Sequence, residues 1–113
     1  MDATQLLSIW LKEREIQNQS THTLQAYERD VSDFLNFCEI KKLNLTDVEP
    51  TDLREFLAQK VEQQQLSSSS LQRLLSSIRQ FMKWAEQGQY LAFNPADDFQ
   101  LKRIPRPLPG MID

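Results

Sequence analysis

Residues 66–87, LSSSSLQRLLSSIRQFMKWAEQ, carry the strongest helical signal in the 113-residue chain. The apolar residues of this stretch recur three and four positions apart, which is the spacing of one face of an α-helix. They are Leu71, Leu74, Leu75, Ile78, Phe81, Met82 and Ala85. Ser67 has the side chain of a good N-cap, and Gly88 is expected to end the helix at the C′ position. The stretch is therefore predicted to be a long amphipathic helix around which the other elements pack.

The opposite face of this predicted helix is polar, and residues 66–85 contain no acidic residue. It holds Ser69, Gln72, Arg73, Ser76, Ser77, Gln80 and Lys83, with Arg79 at its margin. Because serine is a mediocre helix former, a face that is merely solvated would more often carry Glu and Lys. Short hydroxyl side chains beside Arg and Lys let a helix approach a phosphate backbone and donate hydrogen bonds to it. The face is interpreted as a DNA-binding surface, and the alternative is a solvated face that happens to lack acids.

Charge is divided unevenly along the chain. Residues 1–65 hold 7 Lys and Arg against 12 Asp and Glu, whereas residues 66–113 hold 6 against 4. An anionic partner is therefore expected to bind the second half, mainly the helix at 66–87. The acidic first half predicts a modest affinity.

The composition is that of one folded, helical domain. Hydrophobic residues make up 40% of the chain and glycine occurs only twice, which argues against a sheet protein. No apolar run approaches the ~18 residues of a membrane span, and the N-terminus lacks the pattern of a secretory signal. The expected location is cytoplasmic.

Nothing in the sequence has the spacing of a cofactor or metal site. The single cysteine, Cys38, can form neither a disulfide nor a cysteine-rich metal site within the chain, and its place on an apolar stripe predicts a buried, inert thiol. The one histidine cannot build a Ser-His-Asp triad with confidence, and no glycine-rich phosphate loop is present. No cofactor is expected.

Three further helices are predicted before residue 66. The first runs from about Ala3 to Glu15 with Asp2 as its cap, the second opens at Ser20 or Thr21, and the third is capped by Thr51 after Pro50. The inward residues of the first helix are Leu6, Leu7, Trp10 and Leu11; those of the second are Leu24, Tyr27, Val31, Phe34, Leu35 and Cys38; those of the third are Leu53, Phe56, Leu57 and Val61.

The first turn of the second helix offers small or amide side chains beside a free helix N-terminus, which is a ready anion site. These residues are Thr21, His22, Thr23 and Gln25. Arg29, one turn later, is expected to pair with an acid or to reach a phosphate, and a simply solvated His22 stays an equal alternative. Asp30, Asp33 and Glu39 predict that the second half of this helix does not contact DNA.

The last part of the chain is predicted to be a short packed segment followed by a linker. Tyr90, Leu91 and Phe93 are expected to pack, and a turn or brief helix is expected from Asn94 to Phe99. The sequence IPRPLPG, at 104–110, cannot continue a helix and is typical of an extended linker. The predicted division is a domain at 1–99 and a linker at 100–113.

Three ordered motifs resemble the N-terminal core-binding (SAM-like) domain of tyrosine recombinases, and most closely its XerC branch. The first is S-x-x-T-L-x-A-Y-x-R-D, at residues 20–30. The second is VEPTDLREFLA, at 48–58, and the third is S-L-x-x-x-L-S-S-I-R-x-F-x-x-W, at 70–84. Gly88, the Asn-Pro-Ala sequence at 94–96 and PRPLPGMID at 105–113 follow in the same order. Each motif alone is weak, but the ordered combination is specific and covers nearly the whole chain.

The resemblance implies an all-α, orthogonal four-helix bundle whose second and fourth helices face the DNA major groove. The implied DNA-binding residues are Thr21, His22, Thr23, Gln25 and Arg29 on the second helix and Ser69, Ser70, Arg73, Ser76, Ser77 and Arg79 on the fourth. Arg79 and Trp84 border the apolar stripe, so a structural role is the alternative for both.

The resemblance also implies the activity of a full-length protein. That protein would be a site-specific recombinase that forms a covalent phosphotyrosine intermediate without metal or ATP. It would act on a chromosome dimer-resolution (dif-type) half-site, in a heterotetramer with a XerD-like recombinase and with an FtsK-like translocase. The family's catalytic residues lie beyond Asp113, so the present chain is expected to be a monomer that does not cleave DNA. The alternatives are the core-binding domain of a phage or integron integrase and a helical protein-interaction module.

Overall fold

The computed structural model describes residues 2–97, and that part of the chain consists of helices without a β-strand. The helices are α1 (Ala3–Ile16), α2 (Thr21–Ile40), α3 (Pro50–Gln64) and α4 (Ser68–Gln87), with a short 3-10 helix at Leu45–Asp47. The predicted all-α class is confirmed. The end of the turn predicted at 94–99 and the whole linker predicted at 100–113 lie outside the described residues. No helix among the described residues is long and apolar enough to cross a membrane.

The helix starts follow from side chains that accept hydrogen bonds from backbone N–H groups. Asp2, Ser20 and Ser67 cap α1, α2 and α4. The prediction that Thr51 caps α3 is wrong, because the N-cap is Glu49 and the helix begins at Pro50. Proline suits the first helical position, since its fixed φ is helical and the N–H that it lacks would have no partner there.

All four α-helices are followed by a residue with left-handed backbone, and none of these residues is glycine. They are Asn18, Lys42, Gln65 and Gln89, with φ of 68°, 58°, 51° and 66°. After α4, the N–H of Tyr90 donates to the carbonyl of Ala85 at 2.8 Å, which is the bond of a Schellman motif. The prediction that Gly88 occupies C′ is therefore wrong by one position, because Gly88 is the C-cap and has φ of −83°.

A different physical reason accounts for glycine at position 88. A Cβ atom there would lie 2.8 Å from the Cε2 atom of Tyr90. The Tyr90 ring is stacked on Trp84, with 5.5 Å between ring centroids. Gly88 thus makes room for an aromatic ring that folds back onto the end of α4.

Two adjoining apolar clusters form the core. The larger joins α2, α3 and α4, and an aromatic group of Phe34, Phe37 and Phe56 lies within it. The smaller surrounds Trp10, which packs against Tyr27 and Phe81 at centroid distances of 4.8 and 5.4 Å. The core thereby holds α1, α2 and α4 against one another and fixes the surface that α2 and α4 share.

The predicted inward residues are mostly confirmed. Those that are buried are Leu6, Leu7, Trp10, Val31, Phe34, Cys38, Leu53, Phe56, Leu57, Val61 and every apolar residue of the α4 stripe. Leu11, Leu24, Tyr27 and Leu35 are only partly buried. After α4 the prediction fails in part, because Leu91 is buried whereas Tyr90 and Phe93 are exposed by 39% and 49%.

Candidate nucleic-acid interface

The two helices that carry the candidate residues meet at Asp30, near the middle of α2. The Asp30 carboxylate contacts Ser77 and Arg73 of α4, whereas Tyr27, one turn earlier in α2, packs with Phe81 around Trp10. The earlier residue of α2, Tyr27, therefore lies near the later residue of α4, Phe81, and Asp30 lies near Arg73 and Ser77. The two helices thus run in opposite directions where they meet. We call the line of contact between α2 and α4 around Asp30, Arg73 and Ser77 the α2–α4 seam. It is the structural centre of the candidate interface.

Asp30 is a buried carboxylate with donors from both helices. Its side chain is 3% exposed. The Ser77 hydroxyl donates to Oδ2 at 2.8 Å and Arg73 Nη2 donates to Oδ1 at 3.2 Å, while Arg29 Nε lies 3.6 Å from the same Oδ1. Asp30 therefore presents no acid at the surface, because hydrogen-bond donors cover it.

The two arginines above Asp30 stay largely open to solvent. The side chains of Arg29 and Arg73 are 62% and 51% exposed. The hydrogen bond to Asp30 uses one of the five N–H donors of the Arg73 guanidinium. One arginine from each candidate helix thus lies beside Asp30 at the seam, with more than half of its side chain open to solvent.

The first turns of α2 and α4 are built in the same way. The Ser20 hydroxyl accepts from the N–H of Thr23 at 3.1 Å and donates to its hydroxyl at 2.9 Å. The Ser67 hydroxyl makes the equivalent two bonds to Ser70, both at 3.2 Å. Neither first turn contains an acidic residue. Both helix starts therefore keep the partial positive charge of a helix N-terminus.

These two starts lie at opposite ends of the seam. Thr21 is nine residues before Asp30, or about 13 Å along the axis of α2, and Ser69 is eight residues before Ser77, or about 12 Å along α4. Because the helices run in opposite directions, the first turn of α2 and the first turn of α4 extend away from Asp30 on different sides. The remaining exposed candidates are His22, Gln25 and Ser76.

Two candidate residues point away from the open surface. Ser77 is 2% exposed, and its hydroxyl donates to Asp30. Arg79 is half-buried, and its Nε donates to the carbonyl of Ala96 at 3.0 Å. The side chain of Asn94 accepts from the Ala96 N–H at 2.9 Å, so Arg79 fastens the turn at 94–97 onto α4.

The structure adds Arg14 of α1 to this region, which the sequence interpretation did not include. Arg14 Nη2 donates to Oε1 of Gln80 at 3.2 Å, and its guanidinium lies 5.6 Å from the ring centroid of Trp10. Both residues line a groove of about 260 Å³ that also contains Lys83. No local sequence signal identifies Arg14, because only the packing of α1 on α4 brings it beside the polar face.

Two acids of the acidic first half are paired with lysines on the side of α3. Asp33 of α2 forms an ion pair with Lys60 of α3. Glu55 of α3 forms one with Lys41, and this hydrogen bond raises the pKa of Lys41. The fold therefore directs paired acids towards α3 and leaves the α2–α4 seam with arginines at its surface. Within residues 2–97, no group of three or more His, Cys, Asp and Glu is arranged to hold a metal ion.

Comparison with known proteins agrees with this architecture. The family described as "Phage integrase, N-terminal SAM-like domain" matches residues 7–89. A solution NMR structure of a fragment, residues 61–160, of a Clostridium leptum protein aligns with a TM-score of 0.62 at 21% identity, over 91% of this chain and 87% of that chain. This structural likeness shows the fold alone.

Curated relatives match the chain over most of its length. It is 37% identical over 95 residues to the tyrosine recombinase XerC of Pseudomonas syringae pv. tomato, covering 83% of this chain and 31% of the relative. It is 37% identical over 93 residues to the tyrosine recombinase XerD of Shewanella oneidensis, covering 82% and 31%. The XerC of Leptospira interrogans is 30% identical over 92 residues, covering 81% and 30%.

The chain spans about 30% of the length of these relatives. The family match covers most of the described helices, from within α1 to the left-handed residue that follows α4. The relatives are tyrosine recombinases, and the match lies in their N-terminal region. The chain therefore belongs to the family of phage integrase N-terminal SAM-like domains.

Proposed function

We propose that this chain is the DNA-binding domain of a XerC-like site-specific tyrosine recombinase and that it clamps a dif-type half-site. The observation that carries the proposal is the α2–α4 seam, where Arg29 and Arg73 lie exposed above a buried carboxylate. The acid-free polar face of α4 extends this seam, and the names of the relatives support the recombinase class.

The exposed candidate residues divide into two chemical roles. Thr21, Ser69 and Ser76 carry short hydroxyls that can donate to phosphate oxygens while the helix backbone stays close to the DNA. Arg29 and Arg73 have planar guanidinium groups that suit either a phosphate or the O6 and N7 acceptors of guanine. His22 and Gln25 lie between these groups on α2, where they can hydrogen-bond to phosphates or base edges.

The remaining candidate residues support the surface from beneath. Thr23 and Ser70 are engaged in the capping bonds of α2 and α4. Ser77 orients Asp30, and Arg79 holds the turn at 94–97. In this proposal these four residues shape the DNA-binding face, and their first partners are protein atoms.

We propose a role for the whole protein, of which the names of the relatives support the tyrosine recombinase class. It is a recombinase of the bacterial cytoplasm that pairs with a XerD-like partner in a heterotetramer on DNA and is controlled by an FtsK-like translocase. Catalysis belongs to residues outside the present chain. The isolated 113-residue chain is a monomer in this proposal, and its contribution is to hold the duplex.

Fluorescence anisotropy with labelled 30-bp duplexes tests the proposal. The 113-residue chain should bind duplex DNA, with a Kd of about 10⁻⁴–10⁻⁶ M for sequences that it does not prefer. The affinity should fall with salt. In a plot of the logarithm of the binding constant against the logarithm of the salt concentration, the slope (the salt slope) should be about −0.9 for each phosphate contact. A protein partner bound mainly through apolar surface would bind with an affinity that depends little on salt. The salt dependence therefore distinguishes DNA binding from the alternative of a protein-interaction module. Absence of salt-sensitive binding to any duplex, including one with a dif-type half-site, would overturn the proposal.

A further inference from the structure

We propose that Asp30 is a positioning residue that sets the sequence preference of the interface. In this role it holds Arg29 and Arg73 side by side across the α2–α4 seam and limits their combined charge. The inference rests on the proposed DNA-binding function and goes beyond it, because it assigns the discrimination between sequences to a buried acid. Asp30 itself is 3% exposed and is not a DNA contact.

Burying the carboxylate of Asp30 costs free energy that its partners must offset. A buried charge is tolerated only when it is paired and hydrogen-bonded, and Asp30 has the Ser77 hydroxyl at 2.8 Å and Arg73 Nη2 at 3.2 Å. Both arginines near Asp30 keep more than half of their side chains exposed. The arrangement anchors the guanidinium groups at one end and leaves them open at the other.

Asp30 also reduces the entropy that the arginine side chains lose when DNA binds. An arginine side chain carries about 2 kcal/mol of rotamer entropy, and ordering it at an interface opposes binding. Contact with Asp30 orders Arg73 before DNA arrives, and the adjacent Arg29 Nε, 3.6 Å away from the same oxygen, is held nearby. Preordered donors suit a fixed pattern of base acceptors better than mobile ones do.

The negative charge of Asp30 also affects how the interface binds DNA. Binding to DNA of any sequence grows with the number of phosphates that the protein neutralises. Asp30 cancels part of the charge of the two arginines without removing either guanidinium. It should therefore weaken binding to DNA in general more than it weakens binding to a preferred sequence. Sequence preference rises as a result.

The experiment compares Asp30→Asn with Asp33→Asn in the 113-residue chain. Asparagine keeps the size of Asp30 and removes its charge. It replaces one acceptor oxygen by an NH2 donor, from which the Ser77 hydroxyl can accept, while the amide oxygen still accepts from Arg73. Asp33 is the matched control, because it lies one turn later on α2 and pairs with Lys60 on the α3 side. Two probes are used: a random-sequence 30-bp duplex titrated against salt, and a randomised duplex pool that is sequenced after selection. Melting followed by circular dichroism defines the temperature at which every variant is folded.

Asp30→Asn should bind the random duplex at least as tightly as wild type, and its salt slope should steepen by about 0.9. Its preference among selected sequences should fall about 5-fold or more, the lower end of the discrimination given by one base contact. Asp33→Asn should leave both quantities at the wild-type values. Ser77→Ala keeps the charge but frees one carboxylate oxygen, so it should lower the preference while the salt slope stays unchanged. If Asp30→Asn does not fold, Ser77→Ala carries the test alone.

Different failures identify different errors. A wild-type chain that binds no duplex contradicts the proposed function itself. A wild-type chain that binds DNA, together with an Asp30→Asn variant that matches Asp33→Asn in both slope and preference, overturns only the role of Asp30. Wild-type binding without any preference among the pool sequences also overturns that role. If Asp30→Asn cannot be studied, a Ser77→Ala variant with the wild-type sequence preference would overturn the role of Asp30.

Discussion

Replacing Arg73 by alanine should weaken DNA binding more than any equivalent change on α3. Arg73 is half-exposed at the centre of the seam, and only one of its five N–H donors is used by the hydrogen bond to Asp30. A lost guanine contact should cost about 1–3 kcal/mol on the preferred sequence and relax the preference at one base pair. A lost phosphate contact would instead weaken all sequences alike and reduce the salt slope by about 1.

The same change also affects folding, and its size can be worked out from the contacts. A hydrogen bond to a charged group contributes about 1.5–3 kcal/mol, but solvent around the half-exposed arginine screens the pair, so about 1 kcal/mol is expected. Ser77 still donates to Asp30 after the change. A loss of 1 kcal/mol should lower Tm by about 4–8 °C in a domain of this size. Binding is therefore measured well below both melting temperatures.

Arg54→Ala is the matched control, since Arg54 is an exposed arginine of α3. Anisotropy titrations of wild type, Arg73→Ala and Arg54→Ala at three salt concentrations separate the outcomes. The assignment of the α2–α4 seam as the DNA face would be refuted if Arg73→Ala bound like wild type or if Arg54→Ala lost as much affinity.

The remaining predictions concern the core, the thiol and the activity. Ile78→Ala should cost about 2–5 kcal/mol in urea unfolding, because Ile78 is fully buried, whereas exposed Ser76→Ala should stay within about 0.5 kcal/mol. Burial, assisted by Asp52, raises the pKa of Cys38 to about 12, so Ellman's reagent at pH 8 should label it only after unfolding. Because folding raises the pKa of Cys38, the buried thiol contributes to the free energy of unfolding as long as it stays protonated. This contribution is complete below about pH 8.5, the ordinary pKa of a cysteine, and is lost as the pH rises towards 12. Size-exclusion chromatography with light scattering should show a monomer, and the chain should form no covalent adduct with a nicked duplex; an adduct would contradict the assignment of catalysis to residues outside it.

Local sequence was sufficient to predict most of the helices. The spacing of apolar residues gave α4 and its inward face, because a helix repeats every 3.6 residues and the core covers only one side of it. Ser20 and Ser67 were readable as caps, since a serine hydroxyl accepts a backbone N–H at a helix start. The errors fell at boundaries, where Pro50 starts α3 and Gln89, not Gly88, takes the left-handed conformation.

The burial of Asp30 and Ser77 could in part also be predicted from the sequence. Asp30 lies three residues after Tyr27 and four before Phe34, which places it on the inward stripe of α2. Ser77, which was predicted to lie on the polar face of α4, is four residues before Phe81 and so lies at the border of the apolar stripe. A polar residue at an inward position needs a buried partner, so the sequence contained the signal that each required one.

Only the tertiary structure decided which partner each of them has. Asp30 and Ser77 are 47 residues apart in the chain, and no local pattern relates one to the other. The packing of α2 against α4 in opposite directions brings them together, places Arg73 beside Arg29, and puts Arg14 of α1 next to Gln80. The sequence alone determined that α4 has an acid-free polar face. The fold determined that a buried carboxylate holds Arg73 of that face beside Arg29 of α2, because burial and hydrogen bonding between distant residues arise only when the helices pack.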